Sequence, residues 1–197
     1  MTESTPRQLI LASTSVYRRQ LLERLRLPFI VIASDVNETS LPDERPDQLA
    51  CRLALAKARA VATIHPDNVV IGSDQVADMN GQALGKPGTH ARAVDQLQRM
   101  RGQTVIFQTA VAVVCQATGF EQTELAQVKV QFKPLTDAQI ERYLLAERPY
   151  DCAGSAKSEG LGISLLTRID NDDPTALIGL PLIRTCQLLE AAGLKVL

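Results

Sequence analysis

Histidine is scarce in this chain. His65 and His90 are the only two in 197 residues, so a histidine-built metal centre is hard to assemble. Cysteine is sparse as well. Cys51, Cys115, Cys152 and Cys186 lie far apart, without the close pairing of a zinc site, and are expected to be buried, reduced thiols. Any metal must then be held by oxygen atoms, a donor set that suits Mg2+ or Mn2+.

Long apolar runs are missing too. The longest, around Ala110 to Cys115, falls far short of the roughly 20 residues that cross a bilayer, so no membrane span is expected. Met1 to Gln8 is polar and lacks the basic start, apolar middle and small-residue cleavage site of a secretory leader, which points to a cytoplasmic location. Charge of one sign is not in excess: 21 Lys and Arg stand against 22 Asp and Glu. That balance argues against a long nucleic-acid groove but leaves room for a small phosphate pocket. Neither a Walker phosphate loop nor a glycine-rich dinucleotide fingerprint occurs. What the chain does have is 45% hydrophobic residues, enough for one substantial core or two small lobes sharing one.

The pattern opens with a short apolar strand, Leu9 to Ala12, then Ser15 as helix cap and a helical spacing through Leu21, Leu22 and Leu25. Phe29 to Ala33 reads as a strand, and a long alanine-rich helix ends before Pro66. Val69 to Ile71 reads as a third strand, with Asn80-Gly81 as a hairpin signal soon after it. Ala91 to Met100 reads as a helix, and Thr104 to Val114 and Glu124 to Phe132 as an antiparallel ribbon turning at Thr118-Gly119. Thr136 caps a helix reaching Glu147, Gly160 to Leu166 returns as loop and strand, and Leu180 to Ala192 closes the chain as a helix. The expectation is one α/β domain over 1–197 with a mixed sheet, its ligand beyond strand ends.

Several segments carry chemistry. Ala12 to Arg19 gathers hydroxyls, helix-start amides and two guanidiniums at a strand-to-helix junction, a combination suited to phosphate. Lys57 falls on the same helix stripe as Leu49 and Leu53; it either snorkels past the core edge or aims inward at an anion. Asp74, expected at a strand's end, and Glu38 can supply carboxylates to water and a divalent cation, while Lys57, Lys86 and Arg18 supply positive charge. The small-residue stretch Cys152 to Gly162 has the composition of a ligand loop, with Glu159 able to accept from a purine edge. Each feature alone has an ordinary alternative: a capped helix with solvated arginines, a turn-forming aspartate, a flexible surface loop.

In this order, Leu9 to Ser15 with Arg18-Arg19, Glu38, Lys57, Gly72-Ser73-Asp74 and Lys86-Pro87 closely resemble the Maf family of nucleoside triphosphate pyrophosphatases. The resemblance implies a mixed twisted sheet in two lobes around a cleft, similar to inosine triphosphate pyrophosphatases, and a homodimer. It implies that Asp74 accepts a proton from water and that Ser13, Arg18, Glu38, Lys57 and Lys86 surround a nucleoside triphosphate and its metal, with Glu38 and Asp74 as metal ligands. Val16 stands where many relatives have proline. Tyr17, Gln75 and Glu159 occupy the places where pyrimidine-preferring relatives show arginine, threonine and glutamine. With the Cys152 to Gly160 stretch they resemble the subgroup acting on 7-methyl-GTP, where the tyrosine position is often tryptophan. A methylated guanine is cationic, and an aromatic face attracts a cation. The same reaction on dTTP, UTP or other non-standard nucleotides is the nearest alternative. A non-catalytic, nucleotide-sensing inhibitor of septum formation is another, suggested by the family's link to cell-division arrest.

Overall fold

The computed structural model describes residues 7–197. The reading of Met1 to Gln8 as lacking a leader therefore falls mostly outside the described residues. In chain order the elements are β1 (Leu9–Leu11), α1 (Val16–Glu23), β2 (Phe29–Val31), α2 (Pro46–Ile64), β3 (Val69–Met79) and β4 (Gln82–Leu84). There follow α3 (His90–Met100), β5 (Thr104–Cys115), β6 (Phe120–Phe132), α4 (Asp137–Glu147), β7 (Leu166–Asp170) and α5 (Leu182–Ala191). The strands form a seven-stranded sheet in the order β2-β1-β3-β5-β6-β7, with β4 paired to β3. β1 runs parallel to β2 and β3, and the remaining pairs are antiparallel. The expected α/β fold with a mixed sheet is the one observed. Among the described residues, no helix is long and apolar enough to cross a membrane.

Alternation along the strands divides the core. Ala110, Ala112 and Val114 of β5 pack with Leu49, Leu53, Ala58 and Val61 of α2 on one face of the sheet. Val111, Val113 and Cys115 pack with α1 and α5 residues on the other. Because both faces are covered, this stretch reads as a continuous apolar run rather than an alternating one. Farther along the sheet, Ala77, Val105, Phe107 and Val130 join Leu97 of α3 and Leu144 of α4 in a separate core. The two lobes are the two ends of one sheet, joined by the long β5–β6 ribbon.

α2 lies unusually close to β3 at Gly72. A Cβ there would stand 2.6 Å from the Ala58 nitrogen and collide with the Ala54 carbonyl. Glycine at this position sets how near α2, and Lys57 with it, comes to the strand. The Asn80-Gly81 hairpin also forms as expected, with φ of 53° and 83° at the two residues, the left-handed pair such a turn needs.

The placement of Asp74 differs from expectation. β3 does not end near Ile71 but continues to Met79, so Asp74 sits inside the strand, opposite Ala110 of β5. Antiparallel pairing with β5 carries the backbone through this polar stretch. It is the neighbour β1 that stops: it pairs only with Val69–Ile71, and β4 joins only at Ala77. Between these points β3 has no strand on that edge among the described residues, and the sheet opens there. Elsewhere β2 stops at Val31, and β7 begins only at Leu166, after a 3-10 turn over Leu161–Leu165. α5 begins after Pro181, whose backbone is extended.

Candidate active site

The opening in the sheet is the floor of a cavity of about 380 Å³, within the usual size range for small-ligand sites. One wall is the junction of β1 and α1. Ser15 caps α1, its Oγ accepting from the Arg18 N–H over 3.4 Å, and Ser13 Oγ accepts from the Ser15 N–H over 3.2 Å. Arg18 turns back across this junction, donating from Nε to the Gly179 carbonyl at 2.9 Å and from Nη1 to Ser13 Oγ at 3.4 Å. Burial pulls the half-buried guanidinium below its ordinary pKa, while Asp74 and Glu38 pull the other way.

Lys57 settles one alternative left open by the sequence: it aims inward. Its Nζ donates to Asp74 Oδ1 at 2.7 Å and pairs with Glu38 Oε1 at 2.6 Å. One ammonium thus gathers carboxylates from a β3 residue and from the loop before α2. For Glu38, burial works to raise the pKa, but the hydrogen bond and charge of Lys57, helped by Lys86 and Arg18, bring it below the ordinary value. These three cations therefore act together at one end of the cavity. Lys86 is an exposed residue on its wall.

The other end has the opposite character. Tyr17 lies on the wall with Asp151, Cys152 and Glu159. Burial pushes the Tyr17 phenol up, and Cys152, Asp151 and Glu159 push it further the same way. The phenol therefore stays protonated at neutral pH.

Of the residues singled out from the sequence, Ser13, Tyr17, Arg18, Glu38, Lys57, Gln75, Lys86 and Glu159 all line this cavity. Asp74 does not form part of the lining; it stands beside the wall, joined to it through Lys57. Gln75 reaches the wall but commits its amide nitrogen to Thr109 Oγ1 and the Ala176 and Leu177 carbonyls, each at 3.0 Å. It fastens the loop before α5. The cysteines are free, as expected, but only Cys115 is buried; Cys152 is part of the lining.

Sequence reasoning missed Asp151 and the segment Leu177 to Gly179, which closes the cavity. The Gly179 carbonyl accepts from Arg18 and, at 3.1 Å, from Ser73 Oγ. A glycine-proline spacing ahead of the last helix, Gly179-Leu180-Pro181, was the available signal for a tight loop, but it carried no hint of a ligand.

Among the described residues, no group of three or more His, Cys, Asp and Glu is placed to hold a metal. Glu38 and Asp74 nevertheless meet at Lys57, and Asp74 Oδ2 makes no side-chain hydrogen bond among the described residues. Since no buried side-chain oxygen among the described residues is left unpaired, Oδ2 keeps some access to solvent. Two carboxylates with free oxygen capacity suit a hard divalent cation, and Glu38 and Asp74 are the residues that would hold one.

A capped helix start with clustered cations at one end of a cavity, and an aromatic ring with carboxylates at the other, has the chemistry that suits a nucleotide. Comparison with known proteins agrees. The family model described as Maf-like protein matches residues 8–192, and the chain belongs to that family. It is 70% identical over 197 residues to the 7-methyl-GTP pyrophosphatase of Albidiferax ferrireducens, covering 100% of this chain and 99% of that protein. It is 71% identical to the 7-methyl-GTP pyrophosphatase of Polaromonas sp., covering 96% of this chain and 86% of that one. Among solved structures, the Staphylococcus aureus Ham1 protein overlaps 65% of this chain and 73% of its own at 15% identity, with a TM-score of 0.49.

Proposed function

We propose that this protein hydrolyses 7-methyl-GTP to 7-methyl-GMP and pyrophosphate. The observation that carries the reading is the polarity of one cavity, cationic around Ser13, Arg18, Lys57 and Lys86 and acidic-aromatic around Tyr17 and Glu159. That polarity matches a ligand whose tail is anionic and whose base is cationic. Neutral guanine would gain less from the acidic end. High identity to relatives named 7-methyl-GTP pyrophosphatase supports the same substrate.

In this reading the phosphates lie against the α1 start, where helix amides and Arg18 offer fixed donors. Lys57 and Lys86 add charge that needs no reorganisation as the transition state forms. Asp74 uses Oδ2 to accept a proton from water, while Oδ1 stays bound to Lys57. The water oxygen bonds to the α-phosphorus, the bond from that phosphorus to the bridging oxygen breaks, and pyrophosphate leaves with the bonding pair. Glu38 and Asp74 are the residues that would hold Mg2+ or Mn2+. When bound, such an ion supplies charge neutralisation and orientation of the phosphates. At the other end Tyr17 offers its ring face and Glu159 accepts from the guanine edge. The homodimer implied by the resemblance goes with this reading, and sedimentation analysis tests it.

The test is a nucleotide panel of 7-methyl-GTP, GTP, dTTP and UTP with product identification. The highest specificity constant is expected for 7-methyl-GTP, with pyrophosphate as the second product. Preference for dTTP or UTP would overturn the base assignment. Release of phosphate and a diphosphate, or no turnover of any nucleotide, would overturn the reaction.

A further inference from the structure

Tyr17 sits in the first turn of α1, only half-buried, so its ring needs an outside brace to hold one orientation. The brace comes from the opposite loop. Lys157 Nζ stands 5.7 Å from the centroid of the Tyr17 ring, within the range of a cation–π contact. Neither Lys157 nor its partner Glu147 belongs to the cavity lining, so neither is placed to touch a nucleotide.

The lysine is itself held. Its Nζ pairs with Glu147 Oε1 at 2.9 Å, and the two side chains are 28% and 14% exposed. The other oxygen of Glu147 accepts from the Leu161 N–H at 2.7 Å. One turn back on α4, Tyr143 Oη accepts from the Lys157 N–H at 3.0 Å and donates to the Ser155 carbonyl at 3.2 Å. Gly160 passes so near that a Cβ there would lie 2.7 Å from Glu147 Oε2. The last turn of α4 therefore fastens the loop on both sides of Glu159.

Charge completes the argument. Glu147 is held below the ordinary carboxylate range, first by Lys157, and Lys157 above its own, first by Glu147. Both are ionised at neutral pH. An unpaired ammonium beside Tyr17 would repel a cationic base; paired with Glu147, it braces the ring at little electrostatic cost.

We propose that Lys157, anchored by Glu147, is a positioning residue for base recognition: it fixes the Tyr17 ring and, through the loop, Glu159. The inference rests on the reading of the base as a cationic methylated guanine. It places the Lys157–Glu147 pair in control of the ratio of specificity constants for 7-methyl-GTP over GTP, with the phosphate end left as it is.

The experiment measures kcat and KM for both nucleotides, with melting temperatures, on wild type, Lys157→Met, Lys157→Arg and Glu147→Gln. Lys157→Met should lower the ratio about three- to tenfold, the size of a single cation–π contact, mainly through KM for 7-methyl-GTP. Lys157→Arg keeps the cation and the pairing and should restore the ratio to within about twofold of wild type. Glu147→Gln keeps an acceptor for Leu161 but leaves the ammonium uncompensated, and should also lower the ratio. An unchanged ratio in Lys157→Met, or an equal loss on both nucleotides alongside a lower melting temperature, would overturn the positioning role. A wild type with no preference for 7-methyl-GTP over GTP would overturn the base reading itself, and is seen before any variant is compared.

Discussion

Lys57 and Asp74 form a buried ion pair, 2.7 Å from Nζ to Oδ1, with side chains only 7% and 11% exposed. The lysine lies on the core-facing stripe of α2 and the aspartate inside β3. The pair thus joins helix to sheet where the sheet opens. The proposed function gives the pair's two members separate duties, charge for phosphate and a carboxylate for water, and separate variants can tell stability from chemistry.

Removing only the lysine leaves two carboxylates facing each other, one of them nearly buried. Breaking a buried pair on one side costs about 3 to 5 kcal/mol. Lys57→Met should therefore lower both melting temperature and turnover. Adding Asp74→Asn should restore much of the stability, because the stranded charge goes, and none of the turnover. Thermal melts and steady-state kinetics on both variants check this; a single variant with normal stability and normal kinetics would refute the pairing.

Asp74→Asn alone keeps the shape and an acceptor for Lys57 but takes away the basicity that the proposed role requires. Turnover should fall by about 100-fold or more. Nucleotide binding, measured by calorimetry with a non-hydrolysable analogue, should change little. A folded variant that still turns over at half the wild-type rate would remove Asp74 from the proton-transfer step.

Gly72 fixes the distance between α2 and β3. Gly72→Ala places a methyl group against the Ala54 carbonyl and 2.6 Å from the Ala58 nitrogen, both backbone atoms that yield only if the helix moves. A loss of roughly 1 to 3 kcal/mol is expected from such overpacking. Lys57 rides on the same helix, so turnover should drop further than the loss of folded protein explains. Denaturant unfolding together with kinetics on the folded fraction measures both effects.

How much of this was legible in the sequence depended on what carries each role. Lys57 stood out because a charge on an apolar stripe is conspicuous, although its direction is set by Asp74 and Glu38, which lie far from it in sequence. The loop around Glu159 was visible through its small residues. Asp74 was found by motif but set at a strand end, since local pattern registers the end of apolar residues and not pairing with a distant strand. Gly179 and Leu177 were missed because backbone carbonyls, not side chains, do the binding. Asp173 was invisible for another reason. Its buried carboxylate caps α5 from outside, Oδ2 accepting from Ile183 N–H at 2.9 Å and Arg184 N–H at 3.2 Å, whereas a local rule searches only the residue before the helix.

The proposed holding of a divalent cation by Glu38 and Asp74 makes activity metal-dependent. Chelator should abolish activity, and magnesium or manganese should restore it. Glu38→Gln should raise the metal concentration needed for half-maximal turnover roughly tenfold, because a charged ligand becomes neutral. Metal titrations of wild type and variant decide the matter, and full activity in metal-free buffer would exclude the role.

Cys152 lines the cavity, and its thiol offers an independent measure of the acidic end. The thiol is pushed up from 9.0 to about 12, chiefly by burial and next by the charge of Asp151, with the hydrogen bond from Tyr17 opposing the rise and Glu159 adding to it. The folded protein therefore holds a proton that the unfolded chain releases near the ordinary thiol value. Stability from this group is complete below that value and is lost as pH rises from about 9 towards 12. Because the thiolate is the reactive form, Cys152 should alkylate far more slowly at pH 8 in the folded protein than in a denatured control, by about two to three orders of magnitude. Iodoacetamide labelling followed by peptide mass spectrometry separates Cys152 from Cys51, Cys115 and Cys186, with rates taken from pH 7 to 11. Neutralising one neighbour by Asp151→Asn should bring the folded-state rate up, since a nearby negative charge no longer opposes the thiolate. Labelling of folded wild type as fast as the denatured control at pH 8 would contradict a half-buried, anion-flanked thiol, and with it the acidic character assigned to that end of the cavity.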